Sequence, residues 1–325
     1  MKLFNRKYST ILVTGGAGFI GSHLCEHLLQ LKARVVCLDN LSTGKLTNIK
    51  SLKDNPKFVF HQLDVNQYPK IANIFKKHKI DYVFHYAAMT GVRNVVEKPL
   101  DVFKDIKGIE NILSLSRVHK IKKVVFASSS EAYGEPITLP EREDGPTNVY
   151  RHDPYGLTKL AGESMIINYW KKYKLPACAL RFFNVYGPKQ ESSDYGFVIG
   201  IFITRMLQNK RPIIFGDGSQ TRDFIYIDDN IKIALAALLR ERTNGEVINV
   251  GSGRQTTILD LAERIGDLSG RKLKPIFKPV REMEIRYRAP DITKMKKLVG
   301  LQPKITLKEG LKRTIGWYRE QLDKK

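Results

Sequence analysis

Short apolar runs alternate along this chain with longer segments whose apolar positions recur at helical spacing. The first run, 9–14, leads into a glycine-rich turn and an amphipathic segment reaching about Leu31. A second run, 34–38, ends on Asp39 and is followed by a polar loop over 40–45. Further runs lie at 57–60, 80–88, 123–129 and 177–183, separated by helical patterns over about 69–79, 99–119 and the segment carrying Tyr155 and Lys159. Strands that alternate with helices in this way predict an α/β fold, a doubly wound parallel sheet with its ligand at the carboxyl ends of the strands. Beyond Asn184 the pattern loosens, punctuated by Pro188, Gly196, Pro212, Gly216 and Gly218. One later run, 246–250, is fit to return to the main sheet. The expected organisation is a nucleotide-binding domain over 1–185 and a smaller, interleaved substrate lobe over 186–325, without a sharp boundary.

The turn after the first strand carries Gly15, Gly18 and Gly21, a G-x-x-G-x-x-G spacing. Glycines there permit a tight turn and close backbone approach, so that a pyrophosphate can rest on the positive end of the following helix. A plain turn would look similar, and the context decides. Asp39 closes the second strand at the expected distance, where a carboxylate accepts hydrogen bonds from an adenosine ribose and repels a 2′-phosphate, favouring NAD over NADP. Asp64, beyond the third strand, is placed to reach the adenine amino group, and Ala87 and Ala88 let a cofactor lie close to the sheet. The candidate cofactor-binding residues are Gly15, Gly18, Phe19, Ile20, Gly21, Asp39, Asn40, Asp64, Val65, Ala87, Ala88, Tyr155 and Lys159.

Ser129 ends the strand at 123–129, two residues before Glu131, and Tyr155 lies four residues before Lys159. On a helix, residues four apart share a face. A lysine ammonium held there favours the phenolate and lowers the tyrosine pKa. Such a phenol can take a proton from a sugar hydroxyl and return it, with Ser129 sharing the hydrogen bond.

Composition narrows the alternatives. The 325 residues and 42% hydrophobic content suit two sizeable cores. Cys25, Cys37 and Cys178 lie in apolar contexts with no zinc or disulfide spacing, so no metal site is expected and a reducing cytoplasm is. No apolar stretch is long enough to span a bilayer, and the basic N-terminus lacks the apolar segment of a signal peptide. The net charge of +22 invites a nucleic-acid partner, but the lysines are spread over the chain and expected to cover a solvated surface.

Five ordered stretches carry a family resemblance: Thr14-Gly15-Gly16-Ala17-Gly18-Phe19-Ile20-Gly21, Asp39 to Gly44, Tyr155 to Lys159, Arg181 to Pro188, and Arg222 to Asp228. Over nearly the whole chain the sequence resembles the extended short-chain dehydrogenase/reductases that act on nucleotide sugars, UDP-glucose and UDP-glucuronate 4-epimerases among them. The resemblance implies a Rossmann-like fold, bound NAD, a UDP- or other nucleotide-sugar substrate and a homodimer through a four-helix contact. It implies Ser129, Tyr155 and Lys159 as the catalytic set, Asn184 as a substrate-binding amide and Phe215 as the residue packed on the base. Arg222 and Arg281 are implied as diphosphate ligands. Arginine suits that role because its planar fork donates two charge-assisted hydrogen bonds at once. The plain alternatives are a solvated surface charge for either arginine, a core position for Phe215 and a turn cap for Asn184.

In the mechanism the resemblance implies, Tyr155 takes the C4 hydroxyl proton while hydride passes to NAD⁺, giving a 4-keto sugar. Epimerases then return hydride to the other face; dehydratases and decarboxylases divert the ketone. Glu131 stands where the latter two place a catalytic glutamate, and Arg288 opens a stretch, Arg288 to Ile292, like the decarboxylase segment whose arginine faces the sugar acid. Against this, Met89 to Arg93 with Pro99 resembles the 4-epimerase loop, and Ser130 breaks the Asp-Glu pair usual in dehydratases. Glu131 as a polar residue holding its loop is a further alternative. The expected activity is 4-epimerisation, with decarboxylation or dehydration through Glu131 as runner-up and a non-enzymatic NAD(H)-binding regulator as a remote alternative.

Overall fold

The computed structural model describes residues 9–150, 153–190, 192, 196–272, 274–280 and 285–323. Strand β1 (Thr10–Thr14) is buried at every position, as expected of a parallel strand covered on both faces. The strands that follow are β2 (Arg34–Asp39), β3 (Phe58–Gln62), β4 (Tyr82–His85), β5 (Lys123–Ser129), β6 (Ala177–Phe182) and β7 (Val247–Val250). They form one seven-stranded sheet in the order β7-β6-β5-β4-β1-β2-β3, parallel at every pairing. This is a Rossmann-like α/β fold. The strand order reverses between β1 and β4, which opens a crevice at their carboxyl ends.

Period-two alternation divides the core. Ile11 and Val13 belong to one apolar cluster, and Leu12 to the other. The second cluster is covered by α2 (Tyr68–His78), α3 (Lys104–Val118) and α4 (Pro154–Tyr173), through Ile71, Phe75, Ile112 and Ile166. The first is covered by α1 (Phe19–Gln30) and α5 (Ile227–Leu239). That same cluster runs on into Phe202, Leu261 and Ile315 of the C-terminal third, which therefore shares its core with the sheet. Short strand pairs shape this part: Ile213–Phe215 runs beside Ile276–Lys278, and Thr221–Arg222 beside Thr256–Thr257.

The helix expected over 99–119 is divided in the structure. A short helix, Pro99–Val102, precedes α3, and another, Val92–Glu97, precedes both. Pro99 lacks an N–H and disfavours helical geometry at Lys98, so a new helix starts at the proline. Among the described residues no helix is long and apolar enough to cross a membrane.

Candidate active site

The glycine turn lies where β1 meets α1. Gly15 has φ +69°, and a Cβ on it would come within 2.7 Å of the Ala87 nitrogen. A Cβ on Gly21 would reach 2.1 Å from the Gly15 carbonyl oxygen. The turn can pack here only without side chains. Gly18 is the N-cap of α1 and offers its first turn no side-chain partner, and that turn holds no acidic residue. The N–H groups of Phe19, Ile20 and Gly21 thus form the open positive end of a helix, fit for a pyrophosphate.

Asp39 accepts from the backbone N–H of Ala17 at 2.9 Å and of Leu41 at 2.8 Å, which fixes its carboxylate beside that turn. Burial pushes its pKa up, against the lowering effect of these hydrogen bonds. Asp64 accepts from the Asn40 side chain at 3.1 Å, so the loops after β2 and β3 meet, and Val65 is buried beneath them. The Ala87 N–H is tied to Thr14 Oγ1 at 3.1 Å, and Ala88 follows on the same partly open edge. Glycine turn, anchored carboxylate and small residues suit a dinucleotide in both shape and charge.

Asp153 caps α4 by accepting from the N–H groups of Tyr155 and Gly156, each at 3.1 Å, with Pro154 following as the first helical residue. This cap starts the helix so that Tyr155, Lys159 and Glu163 fall on one stripe four residues apart. Ser129, at the end of β5, hydrogen-bonds to Tyr155 and also accepts from the Glu131 N–H at 3.2 Å. Lys159 donates to the Ala127 carbonyl at 2.9 Å and lies 5.3 Å from the Tyr155 ring centroid. The structure thus brings Ser129, Tyr155 and Lys159 together.

Their electrostatics differ from the expectation. Burial pushes the Tyr155 phenol well up, the Ser129 hydrogen bond works against this, and the nearby Glu131, Asp105 and Asp153 add to the rise. Burial takes Lys159 down to about 8, opposed by Asp105 and Glu163. In the protein alone, desolvation and the three acids outweigh the Ser129 hydrogen bond, and Lys159 directs its ammonium to a backbone carbonyl.

Glu131 stands at the rim of this cluster, its side chain 44% exposed. Behind it lies Arg288, the largest side chain among those wholly buried, at 1% exposure. Arg288 Nη1 pairs with Glu131 Oε1 at 2.7 Å, Nη2 donates to the Gly134 carbonyl, and Nε lies 3.7 Å from Glu141 Oε1. The arginine that the resemblance turns toward a sugar acid is thus buried and paired with Glu131 in the protein alone. Burial pushes the carboxyl of Glu141 up to about 7; Arg288 pulls it down and Glu131 pushes it further up.

Most of the other candidates have local partners. The Asn184 amide donates to the Asp223 carbonyl at 2.9 Å, so part of its capacity serves the turn. Phe215 ends a strand and is partly exposed, with its carbonyl accepting from Gln220 at 2.8 Å. Arg222 is partly exposed on its short strand and donates to the Thr221 carbonyl at 2.8 Å. Arg281 lies outside the described residues, and Arg93 lies in the helix Val92–Glu97 with its side chain outside them. Lys189 is not a free cation: it donates to Glu26 at 2.6 Å and to the Asn48 carbonyl at 2.9 Å.

Several residues of the site were not foreseen. The Asp153-Pro154 cap was legible, since Asp before Pro is a helix-start signal. Asp105 accepts from the Met89 N–H at 2.8 Å and acts electrostatically on Tyr155 and Lys159, and no local pattern marks it. Glu163 grips Arg181 through two hydrogen bonds of 2.7 Å and accepts from Ser128 at 2.5 Å.

The chain matches the model of the NAD dependent epimerase/dehydratase family over residues 11–251. It is 42% identical over 311 residues to a putative UDP-glucose 4-epimerase of Methanocaldococcus jannaschii, covering 95% of this chain and 98% of that protein. It is 37% identical over 322 residues to a UDP-N-acetyl-alpha-D-glucosaminuronate decarboxylase of Bacillus cytotoxicus, covering 95% and 97%. Its structure resembles that of the Thermotoga maritima UDP-glucose 4-epimerase with UDP-glucose, with a TM-score of 0.91 and 36% identity over 96% of this chain and 99% of that one.

Proposed function

The chain belongs to the NAD-dependent epimerase/dehydratase family, and from that premise we propose that it is an NAD-dependent UDP-sugar 4-epimerase acting through a transient 4-keto sugar. The observation that carries this reading is the convergence of Ser129, Tyr155 and Lys159 beside the glycine turn at the carboxyl ends of the sheet. NAD, when bound, would supply the acceptor and later the donor of the C4 hydride. Tyr155 takes the C4 hydroxyl proton and returns it after the ketone has turned. Ser129, already hydrogen-bonded to Tyr155, orients that hydroxyl. Lys159 fixes the floor of the site and contributes its charge beneath the ring.

Residues 1–185, with the strand near 246–250, form the NAD-binding part, and 186–325 the sugar-nucleotide lobe. Asn184, Phe215, Arg222, Arg281 and Arg93 are assigned to the substrate, by the chemistry of amide, ring and guanidinium. The exposed apolar Val96, Leu100 and Phe103, just before α3, favour a homodimer built on α3 and α4. Three buried free cysteines suit a reducing cytoplasm.

Asp39→Ala is expected to weaken NAD binding by about 10- to 100-fold, the loss of hydrogen bonds to a charged acceptor, while NADP binding stays level or improves. Titration calorimetry with both cofactors reads the ratio, which general disorder of the turn would leave unchanged.

A second reading, loss of CO₂ from a UDP-uronate, is favoured by Glu131 beside Arg288 and by the similarity to a decarboxylase. Incubation with UDP-glucose, UDP-N-acetylglucosamine, UDP-glucuronate and a dTDP- or GDP-sugar separates the two. Unchanged product mass with a new sugar NMR signature is expected; release of CO₂ overturns the epimerase reading.

A further inference from the structure

We propose that the edge of the sheet opposite the crevice is a docking surface for a bilayer carrying anionic headgroups. Lysines at the helix ends hold the protein there, with its active site turned toward solution.

Where all strands are parallel, each connecting helix runs back and ends at the amino edge of the sheet, away from the site. Four of these ends close on a lysine in the left-handed conformation. They are Lys32 after α1 at φ +66°, Lys79 after α2 at +49°, Lys120 after α3 at +52° and Lys174 after α4 at +53°. All four are exposed, and they precede β2, β4, β5 and β6 in turn. From β6 to β3 this edge runs about 24 Å, at the usual spacing of neighbouring strands. Helix α1 covers one face of the sheet and the other three helices cover the opposite one. The lysines therefore flank the edge from both sides and make an area, not a line.

The loops that enter β2 to β6, over 31–33, 53–57, 79–81, 119–122 and 174–176, carry seven lysines and two aspartates. One of the two, Asp81, is already paired with Lys122 and accepts from the Thr10 N–H at 2.9 Å. Lys57 donates to the Lys32 carbonyl at 3.1 Å, which draws the loops before β2 and β3 together. The loop entering β7, 240–246, balances two arginines with two glutamates, and the basic area ends there. A spread that looks even along the chain is thus gathered by the fold onto one edge.

The helix dipole does not account for these positions. A lysine near a helix C-terminus is favourable, but α2 and α4 already carry Lys76 with Lys77 and Lys171 with Lys172 in their last turns. Glycine is the residue that a left-handed helix end favours. Lysine in these places gives up backbone stability to keep a charge. The helices also present their carbonyl ends here, so no helix N-terminus is offered to an individual phosphate. Attraction rests on lysine charge, which suits the diffuse field of an anionic bilayer better than a nucleic-acid backbone held phosphate by phosphate.

The test is co-sedimentation of the full-length protein with vesicles of phosphatidylcholine containing about one-third phosphatidylglycerol, at about 0.1 M and about 0.5 M salt. The wild type is expected to bind them at the lower salt, to be released at the higher, and to ignore phosphatidylcholine alone. Combining Lys32→Gly, Lys79→Gly, Lys120→Gly and Lys174→Gly relaxes the left-handed positions, so the thermal midpoint is expected to hold. The ratio of bound to free protein should nevertheless fall at least about 10-fold. A control combining Lys210→Gln, Lys274→Gln, Lys308→Gln and Lys312→Gln removes the same charge from exposed positions of the C-terminal third. It is expected to keep binding within about threefold of the wild type. Equal losses in the two variants overturn the inference, because net charge would then be the cause. So does a wild type that fails to bind the anionic vesicles, or that prefers a DNA duplex to them at the same salt. Neither arm uses the chemistry at C4, so the epimerase reading stands or falls separately.

Discussion

Tyr155→Phe is expected to lower kcat by about 10²- to 10⁴-fold, the range associated with removing a positioned general acid and base. The phenyl ring keeps its place over Lys159, at the 5.3 Å separation seen for tyrosine, so the fold and sugar binding are expected to persist. What disappears is the oxygen through which the C4 proton leaves and returns, and that loss falls on the chemical step. Single-turnover measurement with UDP-glucose, alongside calorimetric affinity for the same ligand, separates the two contributions. Ser129→Ala acts on the same proton through its hydrogen bond to Tyr155, so its cost is expected to be smaller and not additive with that of Tyr155→Phe. If Tyr155→Phe retains activity within tenfold of the wild type, the proton travels through another group. Glu131 is then the first candidate, as an exposed carboxylate acting on the same hydroxyl.

The residues of this site that could be read from the sequence are those governed by local rules. Gly15, Gly18 and Gly21 announce themselves because the backbone conformation and close packing there exclude side chains. Asp39 is found by its distance from them along a βαβ unit, and Tyr155 with Lys159 by helical spacing. Strand alternation likewise foretold the parallel sheet, since a run buried on both faces has few other places to go. The electrostatic partners were not legible, because tertiary contact alone defines them. Glu141 and Arg288 are 147 residues apart in the chain, yet they lie 3.7 Å apart. The role of Glu131 changed for the same reason. In sequence it is a lone carboxylate after a strand, whereas in the structure it is half of an ion pair with a buried arginine. The direction of the Lys159 ammonium was not legible either, because spacing reports proximity alone; it goes to the Ala127 carbonyl.

The largest expected loss of stability comes from Arg181→Met. Arg181 and Glu163 are each 4% exposed, and the pair is bidentate at 2.7 Å for both hydrogen bonds. Burial opposes the charge on Arg181, and Glu163 more than restores it. Removing the guanidinium leaves Glu163 buried, with the Ser128 hydroxyl as its remaining hydrogen-bond partner among the described residues, a situation that costs about 3–5 kcal/mol. A clear fall in the thermal midpoint should report it. Glu163→Leu together with Arg181→Met removes both charges and is expected to recover most of the loss, because the cost of a broken buried pair is mainly that of the orphaned ion. The same pair organises the strand end that carries Ser129. Ser128, beside Ser129, donates to Glu163, and Arg181 lies 4.2 Å over the ring of Tyr133, whose turn also carries Glu131. Arg181→Met should therefore lower kcat as well, by less than Tyr155→Phe, and the double variant should regain stability without regaining the full rate. If the double variant is no more stable than Arg181→Met alone, the energy lies in packing around Tyr133 and not in the ion pair.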